Sequence, residues 1–195
     1  MPSPSVALLM ASVVVVGGCA APPSAPAPAR SSAGLGQPIS EADIAAWNID
    51  IRTRDGKGLP PGRGTVADGK TVYGAKCANC HGPDAAGGPV YGTMVGGIGS
   101  FNTNTRLLTP GSMYPYAPIL FDYVRRAMPM DHPLTMSADE VYAVSAYLLY
   151  LNGLVPADAV MDQESLPKVQ MPNRDNFVID DRPDTKAVRC MRDCR

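Results

Sequence analysis

Three stretches of this chain repeat their apolar residues at a helical spacing, and their order organises everything between them. Residues 68–76 form a short helix that turns Val72 and Tyr73 to one side. After a long gap, residues 118–128 return to the same period, with Ile119, Leu120, Tyr123 and Val124 on one face. Met128-Pro129 ends this helix, because a residue before proline is pushed out of the helical region. Ser137-Ala138-Asp139-Glu140 is a capping box. It opens a third helix that runs to Leu151 with Val141, Val144, Leu148 and Leu151 as its inner stripe, closed by Asn152-Gly153. A weaker helix is predicted over 40–47, with Ser40 as N-cap and Ile44 and Trp47 one turn apart. Residues 56–64 read as a Gly/Pro loop, and 81–111 as a long aperiodic loop rich in Gly and Asn. Residues 158–195 are Pro-rich with little periodicity and are expected to lie across the surface. The pattern predicts a mainly α domain with irregular Pro/Gly-rich N- and C-terminal extensions.

Ahead of these elements, residues 6–16 make an apolar run broken only by Ser12, too short to span a bilayer and of the length of a signal-peptide core. Val16-Gly17-Gly18-Cys19 follows, and it resembles a bacterial lipoprotein cleavage site in which Cys19 becomes the lipidated N-terminus. An ordinarily cleaved secretory peptide and an uncleaved anchor are the alternatives; all three place the domain outside the cytoplasm. Residues 20–33 are wholly Ala, Pro, Ser and Arg, the composition of a tether. With 20 prolines in 195 residues, twice the usual share of about 5%, the packed core should be small. The net charge of −1 and the lack of a long basic run give no footprint for nucleic acid.

Cys77-Ala78-Asn79-Cys80-His81, at the end of the first helix, carries the chemistry. Two thiols separated by two residues sit on one helical turn, the spacing that lets both add across the vinyl groups of haem as thioethers, and the adjacent His81 falls under the iron as its proximal ligand. A zinc site would need a second cysteine pair, which Cys190 and Cys194 could supply. A redox dithiol would need a βαβ context that this sequence lacks. The sixth iron position decides whether the haem moves electrons or does chemistry, and Met128, at a helix end pinned by proline, is the expected ligand. Met130, His132 and Met136 are its competitors. The outer nitrogen of His81 needs an acceptor, expected from a backbone carbonyl in the Gly88-Pro89 turn, with Pro83 also within reach in sequence. Arg125 and Arg126 are either partners for the haem propionates or solvated cations at a helix C-terminus. Gly69 and Tyr73 are expected to meet Tyr147 and Leu148 where the first and last helices cross. Helix, CxxCH, loop, helix, Met-Pro and capped final helix is the order of a class I cytochrome c. Cys190 and Cys194 cannot mount a second such haem, because three residues separate them and Arg195 follows. In an exported chain the pair reads most simply as a disulfide, worth about 2 kcal/mol for so short a loop.

Several further stretches narrow the resemblance: Ile44-Ala45-Ala46-Trp47-Asn48-Ile49-Asp50, Gly58-Leu59-Pro60-Pro61-Gly62, Arg126-Ala127-Met128-Pro129, Leu166-Pro167-Lys168-Val169, Met171-Pro172-Asn173-Arg174 and Arg189-Cys190-Met191-Arg192-Asp193-Cys194. With these, the chain resembles the cytochrome subunit of sulfane dehydrogenases, from the Sox system of thiosulfate oxidation. The resemblance implies one covalent haem c, a molybdenum-cofactor dehydrogenase subunit as electron donor, a downstream cytochrome c or other acceptor, and a periplasmic location with a membrane contact only through the lipid on Cys19. It implies an electron-transfer subunit rather than a catalyst on its own. The alternatives are the haem subunit of a sulfite dehydrogenase and a free-standing tethered carrier; a haem enzyme or gas sensor would need an open iron. The expected organisation is a signal peptide at 1–19, a tether at 20–37, an N-terminal extension at 38–67, a class I cytochrome c domain at 68–153 and a C-terminal arm at 154–195 carrying the cysteine pair.

Overall fold

The computed structural model describes residues 38–45 and 47–180. Cys19, Cys190 and Cys194 lie outside them. The chain divides after Ser40, and the fold below is that of the unit Glu41–Arg195.

Strand β1, Arg63–Thr65, runs directly into helix α2, Val66–Lys76. The helix starts two residues before the predicted Asp68, because Thr65 is its cap. The Thr65 hydroxyl accepts from the Asp68 N–H at 3.0 Å, and the Asp68 carboxylate accepts in return from the Thr65 N–H. A single helical turn, α3, Ala78–His81, follows at once. The long loop after it is not featureless. It contains 3-10 turns at Pro83–Ala85 and Ser100–Asn102 and ends in the short helix α4, Pro110–Met113. Helix α5, Pro118–Ala127, stops at Met128, which is extended as its proline neighbour requires. Helix α6, Ala138–Leu151, has the predicted box: the Ser137 hydroxyl accepts from the Glu140 N–H, and the Glu140 carboxylate accepts from the Ser137 N–H. The first helix, α1, is only Glu41–Ala45 and buries nothing, and Trp47 is 84% exposed.

The crossing of α2 and α6 sets the architecture. A Cβ on Gly69 would lie 1.9 Å from the Ala143 carbonyl oxygen, so the two backbones touch and only glycine fits. One turn on, the Tyr73 and Tyr147 rings pack at 5.5 Å, as expected of this crossing. Helix α6 is buried from Val141 to Leu149 on every side rather than along one stripe, because α2, β1, α5 and the C-terminal arm each cover part of it. Helix α5 is turned from its predicted orientation. Leu120, Phe121 and Val124 face inward, with Phe121 against Tyr142 at 4.4 Å, while Tyr123 is 51% exposed.

The arm corrects the expectation of a surface strap. Strand β2, Val160–Asp162, pairs antiparallel with β1 in the register Arg63↔Asp162, Gly64↔Met161, Thr65↔Val160. Met161, Leu166, Val169 and Met171 enter the same core as the helices. Beyond them, the Asn173 amide donates to the Met113 carbonyl at 2.9 Å, and the Arg174 guanidinium lies over the Tyr116 ring. Before β1, Leu59 is buried, and the Tyr142 hydroxyl donates to the Pro60 carbonyl at 2.8 Å. Residues 68–153 alone would therefore leave apolar surface uncovered at both ends; the packed unit extends from about Leu59 to Met171.

Candidate haem site

A cavity of about 550 Å³ opens where α2, α3, the loop after α3, the end of α5 and α6 converge. Its floor is apolar: Val124 from α5 and Val144 and Leu148 from α6. Cys77, Cys80, His81 and Met128 all line it. Cys77 caps α2, donating its N–H to the Tyr73 carbonyl at 2.8 Å, and α3 winds one turn from it, with the Cys80 and His81 N–H groups both donating to the Cys77 carbonyl. That turn is what presents two sulfurs and an imidazole to one space. It ends at Gly82, whose φ of 76° favours glycine, and whose carbonyl accepts from the Tyr73 hydroxyl at 2.9 Å.

Burial pushes the Cys77 thiol up to about 11 and pulls the His81 pKa below its ordinary value. The histidine is thus a neutral imidazole with a lone pair to give at physiological pH. Held that high, the Cys77 thiol stays protonated and is not a poised thiolate, which does not suit a redox dithiol. Among the described residues no cluster of three His, Cys, Asp or Glu side chains could share a metal ion.

One expectation about the site fails. The His81 Nδ1 is buried without a hydrogen-bond partner, so neither the Gly88-Pro89 turn nor Pro83 supplies the acceptor. The turn is folded on itself instead, with the Gly88 N–H donating to the Tyr91 carbonyl and the Tyr91 N–H to the Cys80 carbonyl. The orphaned nitrogen belongs to a ring aimed at a large apolar cavity, which is where an iron-bound imidazole belongs. Arg125 and Arg126 do not line the cavity. Arg126 is drawn to carboxylates elsewhere, Asp122 at 2.8 Å and Asp50 at 3.1 Å, and it ties residues 49–50 to α5 through the Ile49 carbonyl.

Among the competing ligands, Met136 is buried outside the cavity. Met130 and His132 line its mouth with their side chains largely in solvent, Met130 being 63% exposed. The Met130 sulfur accepts from the Tyr91 hydroxyl at 3.0 Å, and His132 faces Asp131. Sequence reasoning missed Tyr91, although an aromatic residue within a glycine-rich loop was the visible signal. It also missed Asn152, whose side chain donates to the Met94 and Leu148 carbonyls and accepts from the Gly96 N–H, fastening the loop to the end of α6.

Residues 66–152, less than half of the chain, match the model of the cytochrome c family. No curated protein matches the chain. Among solved structures it is similar to a chain in the crystal structure of the sulfane dehydrogenase SoxCD from Paracoccus pantotrophus, at 39% identity over 84% of this chain and 83% of that one, with a TM-score of 0.71. The chain belongs to the cytochrome c family, as a relative of that sulfane dehydrogenase chain. The cofactor of this cytochrome is covalently bound haem c, with Cys77 and Cys80 in the CxxCH positions that attach it. The residues fit it: an apolar cavity, two thiols one turn apart and a neutral imidazole beside them. The match to the sulfane dehydrogenase chain also runs beyond the cytochrome c segment into the flanking residues.

Proposed function

We propose that this cytochrome is the electron-accepting subunit of a sulfane dehydrogenase, taking electrons one at a time from a molybdenum-containing partner and passing them to a downstream acceptor. The observation that carries the reading is the extent of the likeness. A general cytochrome c match stops at residue 152, whereas the sulfane dehydrogenase relative shares 84% of the chain. When bound, haem c supplies a one-electron iron couple. His81 gives the neutral imidazole, and Met128 the thioether that favours the reduced iron and closes it to substrate. Val124, Val144 and Leu148 keep water from the buried side of the cavity.

The partner meets the flanks. Trp47 near the start of the described unit and Phe177, Val178 and Ile179 near its end are exposed apolar residues outside the cytochrome c match, the kind of side chain that becomes an anchor when buried against a second protein. Because Met161 to Met171 are core, the docking test must cut further on. Deleting 176–195 should leave the far-red band of methionine-ligated ferric haem intact, abolish co-purification of molybdenum, and abolish reduction of the haem by sulfane substrates. A truncated protein that still carries molybdenum and is reduced at the normal rate would show that the tail does not dock.

The reading places the cytochrome in the periplasm, the compartment of Sox cytochromes c, tethered through a lipid on Cys19 and with a Cys190–Cys194 disulfide. Intact mass of protein isolated without reductant tests both features. A mature chain beginning at Cys19 with added diacylglycerol and acyl mass, two hydrogens short of the all-thiol tail, is expected. An unlipidated N-terminus or two alkylatable tail thiols would remove the corresponding feature.

A further inference from the structure

Tyr91 touches both sides of the site. Its ring stacks on the His81 imidazole, with centroids 5.1 Å apart and planes 22° from parallel. Its hydroxyl donates to the Met130 sulfur at 3.0 Å. Its backbone is rooted in the attachment turn, through its N–H to the Cys80 carbonyl and its carbonyl to the Gly88 N–H.

The proximal contact matters because His81 has no hydrogen bond at Nδ1 to fix its plane. An imidazole without that bond is free to rotate about its Cβ–Cγ axis unless a flat surface holds it, and the Tyr91 ring is that surface. The distal contact matters because Met130 is mostly exposed, so burial does not hold it. The His132 N–H donates to the Pro129 carbonyl at 2.9 Å, closing a turn that begins at the residue after Met128 and contains Met130. Holding the Met130 sulfur therefore holds the chain on which Met128 hangs.

We propose that Tyr91 is a positioning residue for both axial segments: its ring orients His81, and its hydroxyl, through Met130, steadies the Met128 segment. This rests on the reading of His81 and Met128 as the axial ligands, and the closing experiment separates the two. Four variants of the haem-loaded protein are compared: Tyr91→Phe, which keeps the ring and loses the hydroxyl; Met130→Leu, which keeps the bulk and loses the sulfur; the double variant that combines these two; and Tyr91→Leu, which loses both contacts. Imidazole binding to the ferric protein reads how readily the distal methionine is displaced. The spread of the hyperfine-shifted haem methyl resonances reads the orientation of the histidine plane.

Tyr91→Phe and Met130→Leu should each raise imidazole affinity about three- to tenfold, the range of one net hydrogen bond, and the double variant should raise it no further. The methyl spread should hold in Tyr91→Phe and change in Tyr91→Leu. Imidazole affinity unchanged in both single variants, or raised independently by each, overturns the distal half. A wild-type methyl spread in Tyr91→Leu overturns the proximal half. If Tyr91→Leu assembles no haem, replacing it with Tyr91→Met keeps the proximal test open with a flexible, unstacked side chain. Loss of the far-red band in Met130→Leu alone would make Met130 itself the ligand, and that result sinks the assignment of Met128 rather than the contact to Tyr91.

Discussion

Replacing Gly69 by alanine is expected to lower the thermal midpoint of the haem-loaded protein by on the order of 10 °C and to cut its yield sharply. Two effects oppose each other. Alanine is the better helix former by up to about 1 kcal/mol, and α2 would gain that in isolation. Against it, the new methyl group would sit 1.9 Å from the Ala143 carbonyl oxygen and 2.6 Å from its carbon, well inside any real contact. The obstructing atoms are helix backbone, so no side chain can rotate away, and α2 and α6 must move apart. Overpacking of this kind costs about 1–3 kcal/mol and more where backbone must shift, which outweighs the propensity gain. The separation would also carry Cys77 and the α3 turn away from Val144 and Leu148, so haem incorporation should fall with stability. Differential scanning of purified holoprotein, with pyridine haemochrome yield from equal cell mass, measures both. A midpoint within a degree or two of the parent would mean that the crossing relaxes far more easily than its geometry implies.

The second large effect is at Met128. Met128→Ala should abolish the far-red charge-transfer band of thioether-ligated ferric haem and lower the reduction potential by on the order of 0.2 V, a fraction of the roughly 0.8 V over which axial ligands set haem potentials. The direction follows from chemistry: a thioether favours Fe(II), and its loss leaves water or a stronger donor to favour Fe(III). Covalent attachment should be untouched, because Cys77 and Cys80 belong to a different wall of the cavity. Persistence of the band in Met128→Ala, with its loss in Met130→Ala, would transfer the ligand role.

The parts of this site that were legible in the sequence are those fixed by covalent spacing or by local sterics. CxxCH places two thiols and an imidazole on one turn wherever that turn folds. Met128-Pro129 must leave the helix, and Ser137 with Glu140 caps α6 as read. What escaped depends on partners far apart in the chain. Met161, Leu166, Val169 and Met171 carry no helical or strand period, because a three-residue strand and a 3-10 turn each deliver only one or two side chains to the core. Met161 is brought in by β1, Gly64 lying opposite it across the pair. The two readings left open for Arg126 turn on a nearer partner. Asp122 lies one helical turn before it, an i,i+4 pairing visible in the sequence, and it takes the guanidinium in the fold. On α5, Tyr123 and Phe121 lie more than half a turn apart, but both candidate faces share Leu120 and Val124, so the apolar period did not choose between them.

The pairing of β1 with β2 bears on the order in which the chain is assembled. Residues 63–65 lie immediately before the helix that ends in the attachment thiols, and their partners arrive nearly a hundred residues later. Closing so long a loop costs more entropy than winding α2 or α6, so local helices form ahead of the pairing. Until residues 160–162 arrive, β1 and the start of α2 are held by the Thr65–Asp68 cap and by α6, the Arg63 N–H donating to the Asp139 carboxylate. The β1–β2 pair is then a late fastener, laid over a helix crossing that already carries the attachment turn.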